Sequence, residues 1–231
     1  ARRMNRQVDW ANHAVELALV VVGILIALGI DNWHTEQEER QSEYRVLGQL
    51  HQDLTRDLES INEIMVEREA SIAAMAELLE MIEGAPSDEA DFSRAVARAA
   101  TLQRFAFRRG AYEVIKSGAV RLSDEDLRIR LSDYYEYDTV LANQSIEDIE
   151  YSFLNFWLPF IREHARDWRY NDYFYAHDRR AMLDDPMFRQ LLVTENDNNT
   201  ALIRRLRPLA GQMQDLIVRV ETNRGNSSRN P

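Results

Sequence analysis

The chain has 231 residues, a formal net charge of −11, no cysteine, and only 8 glycines and 5 prolines. The negative charge argues against a nucleic-acid partner, whose phosphates require a basic surface, and the lack of cysteine excludes disulfides, thiolate metal sites and cysteine nucleophiles. Scarce glycine and proline beside frequent Ala, Leu, Glu and Arg favour an all-α fold.

The first predicted element is an apolar helix near the N-terminus. Residues 17–30 form an uninterrupted apolar run between Trp10 and Trp33, which would lie about 35 Å apart along a helix. Aromatic residues at both ends of such a segment are typical of a helix that crosses a bilayer. Residues 14–33 are therefore predicted to be a transmembrane anchor. A cleaved signal peptide ending near residues 27–29 and a buried core helix are the alternatives.

The charges on either side of the predicted anchor indicate its orientation. Basic residues precede it and acidic residues follow it, so the positive-inside rule places residues 1–13 in the cytoplasm of a bacterium. The remainder of the chain is then expected beyond the inner membrane, in the periplasm. The residues predicted to lie at the membrane interfaces are Arg2, Arg3, Arg6, Trp10 and Trp33.

One stripe of the predicted anchor differs from its other faces. At 100° per residue, Asn12, Glu16, Gly23 and Ala27 lie on the same side, while the other sides carry Val, Leu and Ile. Small residues let a second helix approach closely, and a carboxylate near lipid should face protein or water. The stripe is therefore a candidate docking face for a partner helix, although the same residues also occur in ordinary anchors.

The rest of the chain is predicted to be an exported antiparallel helical bundle over residues 34–223, with a long first helix that continues from the anchor. Apolar residues recur at spacings of three, four and seven as far as residue 82, and Gly84 and Pro86 then end the helix. No β-strand is expected. Two helices are predicted next, one over residues 88–105 that is capped by Ser87 and a short one over 111–117. A long helix should then begin at a capping box, Ser123–Asp126, and bend at Pro159. The chain is predicted to end with a short helix from Pro186, a last helix over 197–222 and a frayed tail over 224–231.

Two sequence patterns resemble a family of uncharacterised bacterial single-pass membrane proteins. The first is the anchor, ELALVVVGILIALGIDNW at residues 16–33, and the second is YEVIKSGAVRLSDEDLRIRLSDYY at residues 112–135. Together they cover a little under a fifth of the chain. The resemblance implies one N-terminal span followed by an exported helical domain, and it implies no activity.

The sequence contains no pattern that specifies a reaction. Its five histidines show neither an H-E-x-x-H motif nor a pair four residues apart, and no phosphate-binding loop or nucleophile elbow occurs. We therefore predict that the protein is not an enzyme and has no metal or other cofactor.

Thirteen of the 21 aromatic residues lie between Tyr134 and Tyr175, and those from Trp168 onward fall in a segment predicted to be a turn. Trp, Tyr and Arg are the residues that most often dominate protein–protein interfaces. We interpret this segment as a turn that docks on a partner. The alternative is that its aromatic side chains only pack within a long connection of the chain itself. The predicted docking residues are Trp168, Tyr170, Tyr173, Phe174 and Tyr175.

Two functions from different classes fit these features. The first is a non-enzymatic accessory subunit that docks on integral membrane proteins and stabilises a larger complex, for example a respiratory or a photosynthetic reaction centre–light-harvesting complex. The second is a periplasmic ligand-sensing helical bundle that acts through a separate partner.

Overall fold

The computed structural model describes the backbone of residues 10–229 and the side chains of residues 17–226, and it is mostly helical. In that part of the chain, two π-helical segments interrupt one helical run, and two strands form a small sheet. The elements are α1 (Trp10–Ile82), α2 (Glu89–Ala99), α3 (Gly110–Lys116), α4 (Glu125–Asp133), a π-helical segment (Tyr134–Asp138), α5 (Thr139–Ser152), a second π-helical segment (Phe153–Trp157), α6 (Leu158–His164), β1 (Ala165–Arg169), β2 (Tyr173–Ala176), α7 (Arg179–Leu183) and α8 (Pro186–Arg229).

Helix α1 contains both the apolar segment and the amphipathic segment that follows it. Its 73 residues correspond to a length of about 110 Å. The helix ends where the sequence predicts, because Gly84 has a φ of +101° and Ala85 donates its backbone N–H to Glu80. A glycine with positive φ is a common helix terminator, and Pro86 prevents the helix from continuing.

Helix α8 runs antiparallel to α1 along most of the folded part of the chain. Three side-chain contacts show the direction: Arg189 with Glu83, Arg207 with Glu69, and Arg224 with Tyr44. The prediction of two separate helices here was wrong, since residues 186–229 form one helix. The predicted frayed tail begins at residue 224, where the backbone is helical as far as Arg229, and residues 230 and 231 lie outside the described part.

Two predicted helix caps lie one residue away from their expected positions. Asp88, not Ser87, caps α2 by accepting the N–H of Asp91, and Asp124, not Ser123, caps α4 by accepting the N–H of Leu127. Ser123 is engaged elsewhere, because its N–H and hydroxyl both donate to Glu43 on α1. A long-range contact therefore moves the cap to the next residue that can supply an acceptor.

The helical run from Glu125 to His164 changes its hydrogen-bonding register twice. Thr139 donates to Tyr134 and Leu158 donates to Phe153, which are the i to i−5 bonds of a π-helix. The second π-helical segment precedes Pro159, the proline predicted to kink this run. The register therefore changes directly before a residue that has no N–H to donate in either pattern.

The prediction that no strand occurs was wrong. Strands β1 and β2 form an antiparallel hairpin, with Trp168 opposite Phe174 and Arg169 opposite Tyr173. Asn171 occupies the turn with a φ of +61°, a backbone conformation that asparagine tolerates better than most residues. The aromatic segment is therefore an ordered hairpin that extends from α6 and returns to α7.

Two separate hydrophobic clusters form the core. The first lies between Leu47–Ile64 of α1, helices α3 to α5, and Leu202–Val220 of α8. The second lies between Ala74–Leu78 of α1, helix α2, the hairpin and the first turns of α8. Buried polar residues lie between the clusters on three helices, and we call them the polar layer: Arg68 and Ser71 on α1, Ser152 on α5, and Glu195 and Asn199 on α8.

Candidate membrane-crossing segment and the surfaces around it

The apolar segment of α1, residues 17–30, packs against no other described part of the chain. Its ten large apolar side chains are between 47% and 67% exposed, and they cover every side of the helix except the one that carries Gly23 and Ala27. This stretch makes α1 long and apolar enough to cross a membrane. A helix that is apolar all round is normally surrounded by lipid or by other protein.

The predicted docking stripe is only partly described. Gly23 and Ala27 are exposed, and no atom lies within 4 Å of a Cβ placed on Gly23, so another helix could approach this face. Trp33 is exposed at the end of the apolar segment. The remaining predicted stripe and interface residues lie outside the described side chains: Arg2, Arg3, Arg6, Trp10, Asn12 and Glu16.

Helix α1 enters the folded part of the chain at Glu43 and Tyr44. Glu43 is buried and accepts two hydrogen bonds from Ser123, from the backbone N–H at 2.6 Å and from the hydroxyl at 2.8 Å. On Tyr44, the guanidinium of Arg224 lies 4.6 Å from the ring centre and donates to the hydroxyl at 3.0 Å. The loop before α4 and the end of α8 therefore both hold α1 within about three turns of Trp33.

A buried carboxylate lies further along α1, within the first cluster. Asp57 has no exposed surface, and Arg108 binds it through its guanidinium and through its backbone N–H at 2.8 Å. Burial raises the pKa of Asp57 above its ordinary value, and the two bonds from Arg108 oppose that rise. Burial also raises the pKa values of the hydroxyls of Tyr134 and Tyr135. These phenols therefore stay protonated at neutral pH.

The polar layer is organised around Arg68, which is 2% exposed. Its guanidinium donates to the carbonyl and hydroxyl oxygens of Thr101, at 3.1 and 2.8 Å, and to Oδ1 of Asn199 at 3.4 Å. The bond to Asn199 connects α1 directly to α8, and the bonds to Thr101 connect α1 to the segment that follows α2. Burial lowers the pKa of Arg68 from its ordinary value, but an arginine still remains charged.

Glu195 is the carboxylate of the polar layer and is 2% exposed. Ser152 on α5 donates its hydroxyl to Glu195, and Asn198 donates at 3.4 Å. Burial is the largest influence and raises the pKa of Glu195, while Ser152, Asn198 and the charge of Arg68 lower it. The layer thus holds two ionisable groups of opposite charge away from water.

No sequence pattern described above singles out Asp57, Arg68 or Glu195. Two of them could have been identified from their position on the buried apolar face of α1. Asp57 lies three residues after Leu54, and Arg68 lies seven residues after Ile61, where this face requires buried side chains. A charged residue at such a position indicates a buried polar contact, but its partner cannot be identified from spacing.

The five predicted aromatic docking residues of the hairpin differ in how deeply they are buried. Phe174 is fully buried and makes an edge-to-face contact with Phe92, so it belongs to the core and is not available to a partner. Tyr170 is 42% exposed, but its hydroxyl bonds to the backbone of Leu102. Partly exposed residues on this hairpin are Trp168, Tyr173 and Tyr175.

Residues 17–226 hold no group of three or more histidine or carboxylate side chains placed to share a metal ion. His164 does contact a carboxylate, since its Nε2 lies 3.6 Å from Asp185, and its Nδ1 lies 2.9 Å from the carbonyl oxygen of Phe160. Asp185 also accepts the N–H of Met187 in the first turn of α8. These contacts join the end of α6 to the start of α8.

The whole apolar segment and more than half of the folded region match one family of proteins. A family model described as "Family of unknown function (DUF6090)" matches residues 16–151, more than half of the chain. No curated protein and no solved structure matches. The matched range includes both sequence patterns that carry the resemblance, and it ends just before Ser152 of the polar layer.

Proposed function

The chain belongs to the DUF6090 family of unknown function, and we propose that it is a membrane-anchored, non-enzymatic accessory subunit. In this proposal, residues 14–33 cross the inner membrane of a bacterium, residues 1–13 lie in the cytoplasm, and the folded region lies in the periplasm. The protein would bind integral membrane subunits of a larger complex and stabilise it.

The observation that carries the proposal is the complete exposure of the apolar segment. Moving one large aliphatic side chain from water into hydrocarbon is favourable by about 1.5–3 kcal/mol. Ten such side chains are at least 47% exposed in this segment, so leaving all of them in water would be strongly unfavourable. A surrounding bilayer removes that cost, and its hydrocarbon thickness of about 30 Å suits a helix of about 20 residues.

The way α1 joins the folded region supports a role in which this helix holds that region at a fixed distance from the membrane. The helix continues without a break from the apolar segment to Ile82. Ser123 and Arg224 hold it close to the proposed membrane surface, at Glu43 and Tyr44. A continuous helix fixes the distance between a bilayer and the folded region, whereas a flexible linker would let that distance vary.

Two surfaces could bind the partner subunits. The first is the exposed small-residue face of the apolar segment at Gly23 and Ala27, where a second transmembrane helix could pack closely. The second is the hairpin, on which Trp168, Tyr173 and Tyr175 remain partly exposed. Arg166 lies 5.7 Å from the ring centre of Tyr175, which adds a cation to an aromatic surface.

Membrane fractionation of the native host tests the anchor. We expect the full-length chain to remain with membranes after an alkaline carbonate wash. A variant with Val22→Asp and Leu25→Asp should lose this retention, because an aspartate near the middle of a spanning helix costs about 2.5–3.5 kcal/mol. The matched control, Val22→Ala with Leu25→Ala, should stay with membranes. Release of the unaltered chain by the wash would refute the anchor.

Purification of the tagged protein in mild detergent tests the accessory role. We expect integral membrane proteins in stoichiometric amounts. If the host complex is respiratory or photosynthetic, the eluate should also show haem or bacteriochlorophyll absorption. A Gly23→Leu, Ala27→Leu variant should lose the partners while its folded region remains intact by circular dichroism. Recovery of the chain alone would contradict the accessory role.

A second candidate function is ligand sensing through a separate partner. One observation favours it: an open polar groove lies beside the π-helical residues 134–138.

A further inference from the structure

The groove lies between the π-helical segment Tyr134–Asp138 and the C-terminal half of α8. It consists of two depressions of about 360 and 370 Å³ that share Asp138 and Gln212 as lining residues. Each volume is within the range of small-molecule sites. Both walls depart from a regular α-helix here, since one wall is π-helical and Pro208 interrupts the hydrogen bonding of the other. Single π-turns occur often at functional sites.

One end of the groove is basic. Arg204 and Arg205 line the first depression, and both are exposed. Neither guanidinium forms an ion pair or hydrogen bond with any described residue. Beside them lie Pro208 and Leu209. An arginine pair without carboxylate partners is suited to bind a carboxylate.

The other end of the groove carries an excess of carboxylates. Asp133 and Asp215 line the second depression together with Arg130 and Arg219. The two arginines are already paired outside the groove, since Arg130 contacts Asp126 at 2.9 Å and Arg219 contacts the same carboxylate at 2.5 Å. Asp215 interacts electrostatically with Arg130, but the carboxylates of Asp133 and Asp215 form no hydrogen bond or ion pair within the described residues, which leaves their oxygens able to bind an ammonium group.

The wall at the acidic end also contains an unused hydrogen-bonding group. Tyr134 lines this depression and is 2% exposed, and its hydroxyl has no hydrogen-bond partner among the described residues. Leaving a buried hydroxyl unpaired is unfavourable. Between the two ends, Asp138 has a pKa raised by burial, and a hydrogen bond from Gln212 opposes that rise.

We propose that this groove binds a short peptide with free ends, whose carboxylate meets Arg204 and Arg205 and whose ammonium group meets Asp133 and Asp215. The length follows from α8, on which Arg205 and Asp215 are ten residues apart, or about 15 Å of rise. Four extended residues span about 13 Å. Small side chains would pack on the apolar floor formed by Leu141, Leu209 and Leu216.

The direct test is isothermal titration of the full-length chain in detergent with tetra-alanine. Two capped peptides, N-acetyl-tetra-alanine and tetra-alanine amide, each lack one charge. We expect tetra-alanine to bind and either cap to weaken binding at least about tenfold, which is the usual scale of one lost charge-assisted bond. Absence of binding, or equal binding by the capped peptides, would overturn the proposal.

Variants locate the binding to the two ends of the groove. Arg204→Gln with Arg205→Gln should weaken tetra-alanine but not the amide, whereas Asp133→Asn with Asp215→Asn should weaken tetra-alanine but not the acetylated peptide. Arg207→Gln is the matched control, because Arg207 is on the same helix but contacts Glu69 on α1. Equal losses in the control would place the binding elsewhere. None of these results depends on the membrane anchor, so the two proposals can fail separately.

Discussion

The two halves of helix α1 carry apolar residues in different patterns, and the difference separates two environments. In residues 17–30 all sides are apolar and exposed, whereas between Glu43 and Leu78 only one face is apolar and that face is buried. The first half lacks any described partner, while the second packs against α8 along its length. One continuous helix therefore lies in two different environments, and the distribution of apolar side chains around its axis distinguishes them.

The packed half also contains charges that the exposed half lacks. Asp57 and Arg68 lie on its buried face, and each has hydrogen-bond partners from distant parts of the chain. Such contacts add little net stability compared with well-packed apolar residues, but they are strongly unfavourable when mispaired. We therefore interpret the polar layer as the feature that sets the register of α1 against α8.

The largest expected effect comes from removing the same side chain in each half of α1. Leu54→Ala, at a fully buried position, should lower the free energy of unfolding by about 2–5 kcal/mol because it leaves a cavity. Leu25→Ala, at a position that is 63% exposed, should leave unfolding of the folded region unchanged. Urea titration of the full-length chain in detergent, followed by tryptophan fluorescence, measures both. Similar losses for the two variants would contradict the division of α1.

The next effect concerns the buried charge on α1. Thr101→Val keeps the shape of the side chain but removes the hydroxyl that accepts from Arg68 at 2.8 Å. We expect a loss of about 1.5–3 kcal/mol, the usual value for a hydrogen bond to a charged group. Thr35→Val is the control, since Thr35 is exposed and its hydroxyl bonds only to the carbonyl of Asp31. The same urea titration measures both variants. Equal effects of the two substitutions on the free energy of unfolding would show that the polar layer contributes little to stability.

A smaller effect should appear in the dependence of stability on pH. Burial raises the pKa of Glu195 in the folded state above 4.5, its ordinary value. The folded state therefore holds this proton more tightly, so the contribution of Glu195 is complete below that ordinary pKa and is lost as pH rises through the raised pKa. Glu195→Gln mimics the protonated form, so it should lose less stability than the unaltered chain as pH rises from below 4.5 to neutrality. If the free energy of unfolding depends on pH in the same way in both proteins, then the pKa of Glu195 is the same in the folded and unfolded states.

The smallest effect should come from the solvent face of the packed half. Glu69 pairs with Arg207 at 3.0 Å, but both side chains are more than half exposed. Because exposed ion pairs contribute about 0–1 kcal/mol, Glu69→Ala should change the free energy of unfolding by less than that amount. A double-mutant cycle with Arg207→Ala measures the pair alone. A coupling energy as large as that of Thr101 with Arg68 would remove the contrast between the two faces.

Local features of the sequence predicted α1 and its end. The spacing of Leu47, Leu50, Leu54 and Ile61 indicates a buried helical face, and these four residues are buried. Gly84 and Pro86 end the helix because glycine adopts positive φ easily and proline cannot continue a helix. Each of these features depends only on neighbouring residues. The membrane location, the partners and the non-enzymatic function stay predictions.

The tertiary structure decided the features that need a distant partner. The run TENDNNT at residues 194–200 looks like a break in α8, yet Glu195 and Asn199 face the polar layer and the helix continues. The hairpin forms because β1 and β2 bond to each other and Phe174 packs on Phe92, contacts that no local pattern contains. Composition and periodicity thus indicated that the chain is mostly helical and which face of α1 is apolar. The pairing of buried charges, the capping residues and the pairing of β1 with β2 depended on long-range contacts, whose free energy outweighs local preference.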